Sequence, residues 1–222
     1  MQDKVKFRLR GREVSRIEAF SDVVFGFALT LIVVSLEVPT SYEELLATMR
    51  GLPAFAICFA LLTWVWHAHH TWFRRYALSD EITIALNTAL LFIVLFYIYP
   101  MKFMFSWVTG QIRGTMDGRT LMIIYSLGFI GIFVLFLAMY FHAWRQRDEL
   151  ELNEIERHDT ITSAWMYGSY VAIGLIACAI AYFGTRHTAG WAGLSYWLIG
   201  PASAFIGMKR GASRQLLSSR AG

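Results

Sequence analysis

The stretch Arg16-Ile17-Glu18-Ala19-Phe20-Ser21-Asp22 leads directly into an apolar segment that runs from Val23 to Leu36. Ser15-x-x-Glu18 has the pattern of a capping box, so we predict that a helix begins near Ser15 and that Asp22 lies about two turns inside it. An ionised side chain costs roughly 2.5–3.5 kcal/mol at the centre of a bilayer. A carboxylate kept in such a helix therefore indicates a functional site and requires a polar partner elsewhere in the chain.

The composition is that of an integral membrane protein. Of the 222 residues, 56% are hydrophobic and only 16% are charged, whereas soluble domains carry about a quarter charged residues. Six apolar stretches each reach the ~20 residues that cross a hydrocarbon core. The alternating pattern of a membrane β-barrel is absent, so we predict an all-α membrane protein. The six predicted transmembrane helices lie at about 18–37, 52–73, 82–101, 120–142, 161–183 and 190–208.

Lys and Arg residues are distributed unevenly between the two sides of these spans. If the N-terminus is cytoplasmic, alternate loops place fifteen of the 20 Lys and Arg residues inside and five outside. The positive-inside rule then predicts a multi-pass protein of the cell membrane with both termini in the cytoplasm. The net charge of +4 is explained by this topology and by contact with membrane lipids, and no nucleic-acid partner is predicted.

The predicted organisation has three parts. Residues 1–14 form a basic cytoplasmic N-terminus, residues 15–208 form the membrane domain, and residues 209–222 form a cytoplasmic tail that is expected to fray after Arg210. The acidic stretch from Asp148 to Asp159 is expected to be a solvated helix or linker.

The first predicted helix carries a stripe of residues with helical spacing. Phe27, Thr30, Leu31 and Val34 lie at i, i+3, i+4 and i+7 and so share one face. This face either packs against another helix, with Gly26 and Thr30 as a small-residue contact, or lines a pore. An apolar ring can close a pore by excluding water, and a ring of hydroxyl groups can contact a passing ion.

Three histidines, His67, His69 and His70, lie near the end of the second predicted span. A metal or haem site would need further ligands, and no Cys or paired carboxylates lie nearby, so we predict no metal and no cofactor. A membrane-interface belt of aromatic residues is the simpler explanation. One of these histidines is also a candidate partner for Asp22, because a buried imidazole N–H and an indole N–H can both donate to a carboxylate. Asn87 is another donor at a plausible depth.

Motifs typical of enzymes are missing from the sequence. There is no nucleophile elbow, no phosphate-binding loop and no acid–base pair at useful spacing, so we predict that the protein is not an enzyme. The filter sequence Thr-Val-Gly-Tyr-Gly is also absent, so a channel built from this chain would not use such a carbonyl filter.

The motif Arg16-x-x-x-Phe20-Ser21-Asp22, followed by Val24-Phe25 and by residues 29–31, resembles the signature of the lysosomal potassium channel family called transmembrane protein 175. The chain is most similar to the prokaryotic members of that family. Trp66-x-x-His69-His70-x-x-Phe73 is similar to the family's second-helix pattern, and Leu86-Asn87 with Pro100 is similar to its third helix. The last three predicted spans add length and hydropathy but no motif.

This resemblance implies a homotetramer of six-helix subunits around a central pore that is lined by the first helix. It implies pore constrictions at Phe27, Thr30, Leu31 and Val34, with Phe27 in a position where Ile or Leu is usual. It also implies a structural hub on the first three helices. The implied hub residues are Arg16, Phe20, Ser21, Asp22, Trp66, His69, His70 and Asn87.

The expected function is that of a potassium-permeable channel without a re-entrant filter loop, with potassium ions as the permeant partner. The alternative is a proton channel in which Asp22 and the histidines of the second helix form a relay. A carrier with alternating access would show inverted repeats and broken helices, which the sequence does not contain.

Overall fold

The computed structural model describes residues 7–34, 39–110, 117–185 and 189–220. All regular structure in these ranges is helical, as the sequence predicts. The helices are α1 (Arg16–Val34), α2 (Tyr42–Arg50), α3 (Leu52–Tyr76), α4 (Glu81–Val108), α5 (Gly118–Arg145), α6 (Glu154–Phe183), α7 (Ala189–Leu194) and α8 (Ile199–Arg220), with a 3₁₀ turn at Ser195–Leu198 between the last two.

Four of these helices are long and apolar enough to cross a membrane. They are α3, α4, α5 and α6, with mean hydropathies of their most apolar segments from 1.4 to 2.6. The chain is therefore a multi-pass membrane protein. The count of six spans remains a prediction, because α1 is described over 19 residues only and the end of the predicted span 18–37 lies outside the described residues.

The sixth predicted span, 190–208, is helical throughout but is not one uninterrupted α-helix. The segment contains α7, the 3₁₀ turn and the first part of α8. Pro201 is the third residue of α8, and its ring nitrogen has no hydrogen to donate to the preceding turn. Short 3₁₀ turns frequently connect α-helices or form their ends.

The N-terminus of α1 follows the sequence closely. The amide of Glu18 donates a hydrogen bond to Ser15 Oγ at 3.2 Å, so the predicted N-cap at Ser15 is confirmed. α1 packs on α3 and α4 through Phe25, Ala28 and Ile32, which are buried and recur at helical spacing. α4, α5 and α6 form the rest of the bundle, and α8 packs on α6.

Two expectations about the polar ends of the chain are wrong. The stretch from Asp148 to Asp159 is not wholly solvated, because Glu156 is 0% exposed. The chain does not fray after Arg210 either, because α8 continues to Arg220. Arg214 Nε donates to both carboxylate oxygens of Asp159, at 2.9 and 3.0 Å, and this ion pair holds the end of α8 against the start of α6.

Glu156 is buried because the chain before α1 folds over it. Arg8 Nη2 and Arg10 Nη2 lie 3.1 and 2.9 Å from Glu156 Oε2, and the amide of Arg8 donates to Glu156 Oε1 at 2.9 Å. The amide of Gly11 donates to the carbonyl oxygen of Arg74 at 3.2 Å. A buried carboxylate needs this many donors to offset the loss of water. These contacts attach the segment that precedes α1 to the C-terminal end of α3 and to the N-terminal end of α6, which lie on the same side of the bundle.

Candidate functional site

α1 has one face that no helix of the described chain covers. Phe20 and Phe27 are 61% and 62% exposed, Val23 is 56% exposed, and Thr30 is exposed as well. A Cβ atom added at Gly26 would meet nothing within 4 Å. The stripe therefore does not pack against a helix in the described part of its own subunit. An uncovered apolar face of this kind is compatible with three surroundings in a membrane protein, namely lipid, a second copy of the chain, or a pore.

Three of the four predicted constriction residues lie on or beside this face. Phe27 and Thr30 are fully on it, and Leu31 is 39% exposed at its edge. The side chain of Val34 lies outside the described residues. No ionisable side chain is present on the face between Phe20 and Leu31, so an ion passing along it would meet apolar groups and one hydroxyl group.

The hydroxyl group of Thr30 has a fixed orientation. Thr30 Oγ1 donates its hydrogen to the carbonyl oxygen of Phe27 at 2.8 Å, a local bond that is common for Thr in helices. Because the hydrogen is used within the helix, the lone pairs of the oxygen remain to accept from, or to coordinate, a group outside it. Thr30 therefore presents a partial negative charge on the uncovered face.

On the opposite side of α1, a chain of hydrogen bonds connects three helices. His69 Nε2 lies 2.8 Å from Asn87 Oδ1, and Asn87 Nδ2 donates to Ser21 Oγ at 2.9 Å. Ser21 Oγ in turn donates to the carbonyl oxygen of Ile17 at 2.7 Å. Because the Asn87 amide oxygen can only accept, this arrangement makes His69 Nε2 the donor and gives the chain one direction. All of Ser21, His69 and Asn87 are buried, so the chain fixes α1 to α3 and α4.

The carboxylate of Asp22 is bound by an indole group. Trp66 Nε1 donates to Asp22 Oδ1 at 2.8 Å, and the ring of Trp66 stacks on His70 with 5.6 Å between ring centroids. No histidine of the described chain forms a hydrogen bond with Asp22. An indole N–H only donates and does not titrate, so it satisfies a carboxylate without offering it a proton to exchange.

The residues joined by these contacts on the inner side of α1 form a polar cluster. Three residues that the sequence predicted to act near Asp22, two of them members of the predicted hub, lie apart from it. Arg16 and Phe20 are exposed on α1, and His67 is exposed on α3. The structure thus brings together the remaining members of the predicted hub. Those members are Ser21, Asp22, Trp66, His69, His70 and Asn87.

Glu18 is a member of the cluster that the sequence reasoning assigned only to helix capping. Its side chain is 3% exposed and its Oε1 lies 3.3 Å from His70 Nδ1, close enough for an ion pair but without the alignment of a hydrogen bond. Glu18 lies one turn before Asp22 on the same side of α1, and this i, i+4 spacing was the available signal. In the described parts of the chain, no three His, Cys, Asp or Glu side chains are placed to hold a metal ion.

The N-terminal part of the chain, from the start of α1 into α4, matches a known family model. Residues 16–97 match the model of the endosomal/lysosomal potassium channel TMEM175, a region that contains the exposed face of α1 and the whole polar cluster. A protein named "Potassium channel" from Marivirga tractuosa is 37% identical over 220 residues, which cover 90% of this chain and 89% of that protein. A potassium channel from Chamaesiphon minutus is 29% identical over 180 residues, 77% of this chain and 85% of that protein.

Two solved structures resemble the whole chain. One is a crystal structure of a variant of the potassium channel MtTMEM175 with a nanobody–MBP fusion protein, with a TM-score of 0.81, 33% identity, and coverage of 96% of this chain and 100% of that one. The other is a lysosomal potassium-selective channel TMEM175 homolog from Chamaesiphon minutus, with a TM-score of 0.60, 25% identity, and coverage of 88% and 96%. The matched names are those of ion channels and not of enzymes. The chain belongs to the TMEM175 family of ion channels.

Proposed function

We propose that this chain is the subunit of a potassium-permeable channel whose pore runs along the uncovered face of α1. The single observation that carries the proposal is this face, which is apolar, uncharged and uncovered, and which bears one oriented hydroxyl group at Thr30. The names of the relatives, which are potassium channels, support the choice of ion.

One α1 helix cannot enclose a pore, so the proposed channel requires several copies. Closed rotational symmetry is the usual arrangement for identical subunits and repeats the same face around one axis. A homotetramer would place four Phe27 rings and four Thr30 hydroxyl groups around that axis. The polar cluster on the other side of α1 would act as a structural hub that holds each α1 at a fixed distance from the axis.

The proposed pore selects ions by weak coordination and not by a carbonyl filter. A potassium ion would lose part of its hydration shell beside Phe27, and Thr30 oxygens would replace part of that shell. Because no fixed charge lies at this level, preference for potassium over sodium would be moderate. The proposed pore residues are Phe27, Thr30, Leu31 and Val34.

The test of this proposal is the reversal potential of the purified protein in a planar bilayer, with potassium facing sodium at equal pH. The expected result is a shift toward the potassium equilibrium potential, which becomes smaller in Thr30→Ala and is largely retained in Thr30→Ser. Thr48→Ala is the control, because Thr48 is a half-buried threonine outside α1 that also donates to its own helix, at 3.0 Å from the carbonyl oxygen of Glu44. An unchanged reversal potential in Thr30→Ala would remove Thr30 from the mechanism.

Proton conduction through Asp22 and the histidines is the second hypothesis. It would need a hydrogen-bonded path between titrating groups, whereas Asp22 accepts its bond from Trp66 and His69 is bonded to the amide of Asn87. Current that follows a pH gradient in the absence of potassium would favour protons over potassium.

A further inference from the structure

A large groove lies on the side of the subunit away from α1. It is formed by α5, α6 and α8 and has a volume of about 930 Å³. Phe141 and Trp144 of α5, Trp165 and Gly168 of α6, and Ile206 of α8 are among the residues that line it. Phe141 and Trp165 are 59% and 62% exposed, so apolar surface is left uncovered along this groove.

Two arginines do not line the groove themselves, but each lies one turn beyond a residue that does, toward the end of the groove where α5 terminates. Arg145 is one turn beyond Phe141 on α5, is exposed, and holds its guanidinium carbon 5.9 Å from the centre of the Phe141 ring. Arg210 is one turn beyond Ile206 on α8 and donates to Thr162 Oγ1 at 2.7 Å. Within the described residues, none of the ion pairs with a carboxylate involves Arg145. The opposite end of the groove, at Val134 and Ala172, is apolar.

This arrangement has the polarity of an amphipathic ligand, with cations at one end and apolar surface along the rest. We propose that the groove binds one anionic phospholipid, with its phosphate at Arg145 and Arg210 and an acyl chain along Phe141 and Trp165. Basic positions at the ends of membrane helices attract anionic headgroups, and each arginine near the surface favours them by about fivefold. The lipid would come from the leaflet on the side of the bundle that also contains the N-terminal segment.

A second copy of the chain fits this groove less well. α1 contacts α3 and α4, while the groove belongs to α5, α6 and α8, which make no comparable contact with α1. If α1 faces the pore axis, the groove faces away from it. The orientation toward lipid therefore rests on the proposed function, but the charge at the end of the groove and its apolar lining do not.

The experiment uses the two tryptophans of the groove as reporters. The full-length protein is placed in phosphatidylcholine vesicles that contain a minor fraction of either dibrominated phosphatidylglycerol or dibrominated phosphatidylcholine, because bromine quenches indole fluorescence on contact. A double variant, Trp144→Phe with Trp165→Phe, lacks both reporters. The difference in quenching between the wild type and this double variant is the part that comes from the groove. We expect this part to show at least a fivefold preference for phosphatidylglycerol.

Three variants make the result specific. Arg145→Gln is expected to reduce the preference about fivefold, and Arg50→Gln, which removes an exposed charge from α2 on the other side of the bundle, is expected to leave it unchanged. Gly168→Leu should abolish it by filling the groove, since a Cβ at Gly168 meets nothing within 4 Å. Circular dichroism confirms that each variant is folded.

Equal quenching by the two lipids, or an unchanged preference in Gly168→Leu, would overturn the proposal. Absence of groove quenching by either lipid would overturn it as well and would indicate that protein covers the groove. Potassium flux measured in the same vesicles separates the two ideas, because a chain that binds the lipid without conducting potassium refutes only the proposed function.

Discussion

The hydrogen bond between Trp66 and Asp22 is the most direct point at which to test the polar cluster. We expect a double-mutant cycle with Trp66→Phe and Asp22→Ala to give a coupling free energy of at least about 1.5 kcal/mol. A hydrogen bond to a charged group contributes about 1.5–3 kcal/mol, and the 2.8 Å distance is typical of a well-formed bond to a carboxylate. Phe keeps an aromatic ring for the stack on His70, so the cycle isolates the N–H group.

This expected coupling free energy is larger than the values usually measured between polar residues of membrane helices. Couplings between polar residues of membrane helices average about 0.6 kcal/mol, and the negative charge of Asp22 is the reason to expect more. The assay is unfolding by SDS in mixed micelles, followed by circular dichroism, with the wild type, both single variants and the double variant measured under the same conditions.

A matched cycle provides the control. Trp72 lies on the same helix and is fully buried, but its Nε1 has no hydrogen-bond partner. Trp72→Phe therefore removes an indole group without breaking a hydrogen bond, although it leaves a small cavity. We expect its coupling with Asp22→Ala to lie within about 0.5 kcal/mol of zero. If the Trp66 cycle also fell in that range, the role of Trp66 as the partner that stabilises Asp22 would be refuted.

Two further predictions concern the pore and the dependence of stability on pH. Phe27→Ala should raise single-channel conductance severalfold and weaken potassium preference, since it removes the phenyl ring that lies one turn from Thr30 on the uncovered face; an unchanged conductance in planar bilayers would place the constriction elsewhere. Burial raises the pKa of Asp80, but hydrogen bonds from Thr83 and His142 outweigh it and hold that pKa below its usual value. A lowered carboxylate pKa stabilises the folded state above the unfolded pKa and loses this effect as the pH falls through the folded value. The stability gap between the wild type and Asp80→Asn should therefore narrow as the pH falls below about 4; unfolding free energies measured in this acidic range would contradict the prediction if the gap did not change.

The start of α1 and its two faces could be predicted from the sequence. Hydropathy, helical spacing and the Ser15 cap act between residues that are close in sequence, so they do not depend on how the helices pack. The same local rules found the four long apolar helices. They did not predict the 3₁₀ turn at Ser195–Leu198, which lies within the predicted span 190–208.

The partners of the polar groups were decided by the tertiary structure. The sequence indicated that Asp22 needs a donor but offered several, and packing selected Trp66, 44 residues away. Packing also buried Glu18 against His70 and turned Glu156 from an expected solvated residue into the buried acceptor of Arg8 and Arg10.

The physical reason is the same in each case. Whether a charged group is solvated or buried depends on which distant segment covers it, and the sequence around that group is compatible with both states. The sequence by itself determined that this protein is a helical membrane protein with a carboxylate in its first helix. Only the packing of α1 against α3 and α4 decided which groups bind that carboxylate and which face of α1 is left uncovered.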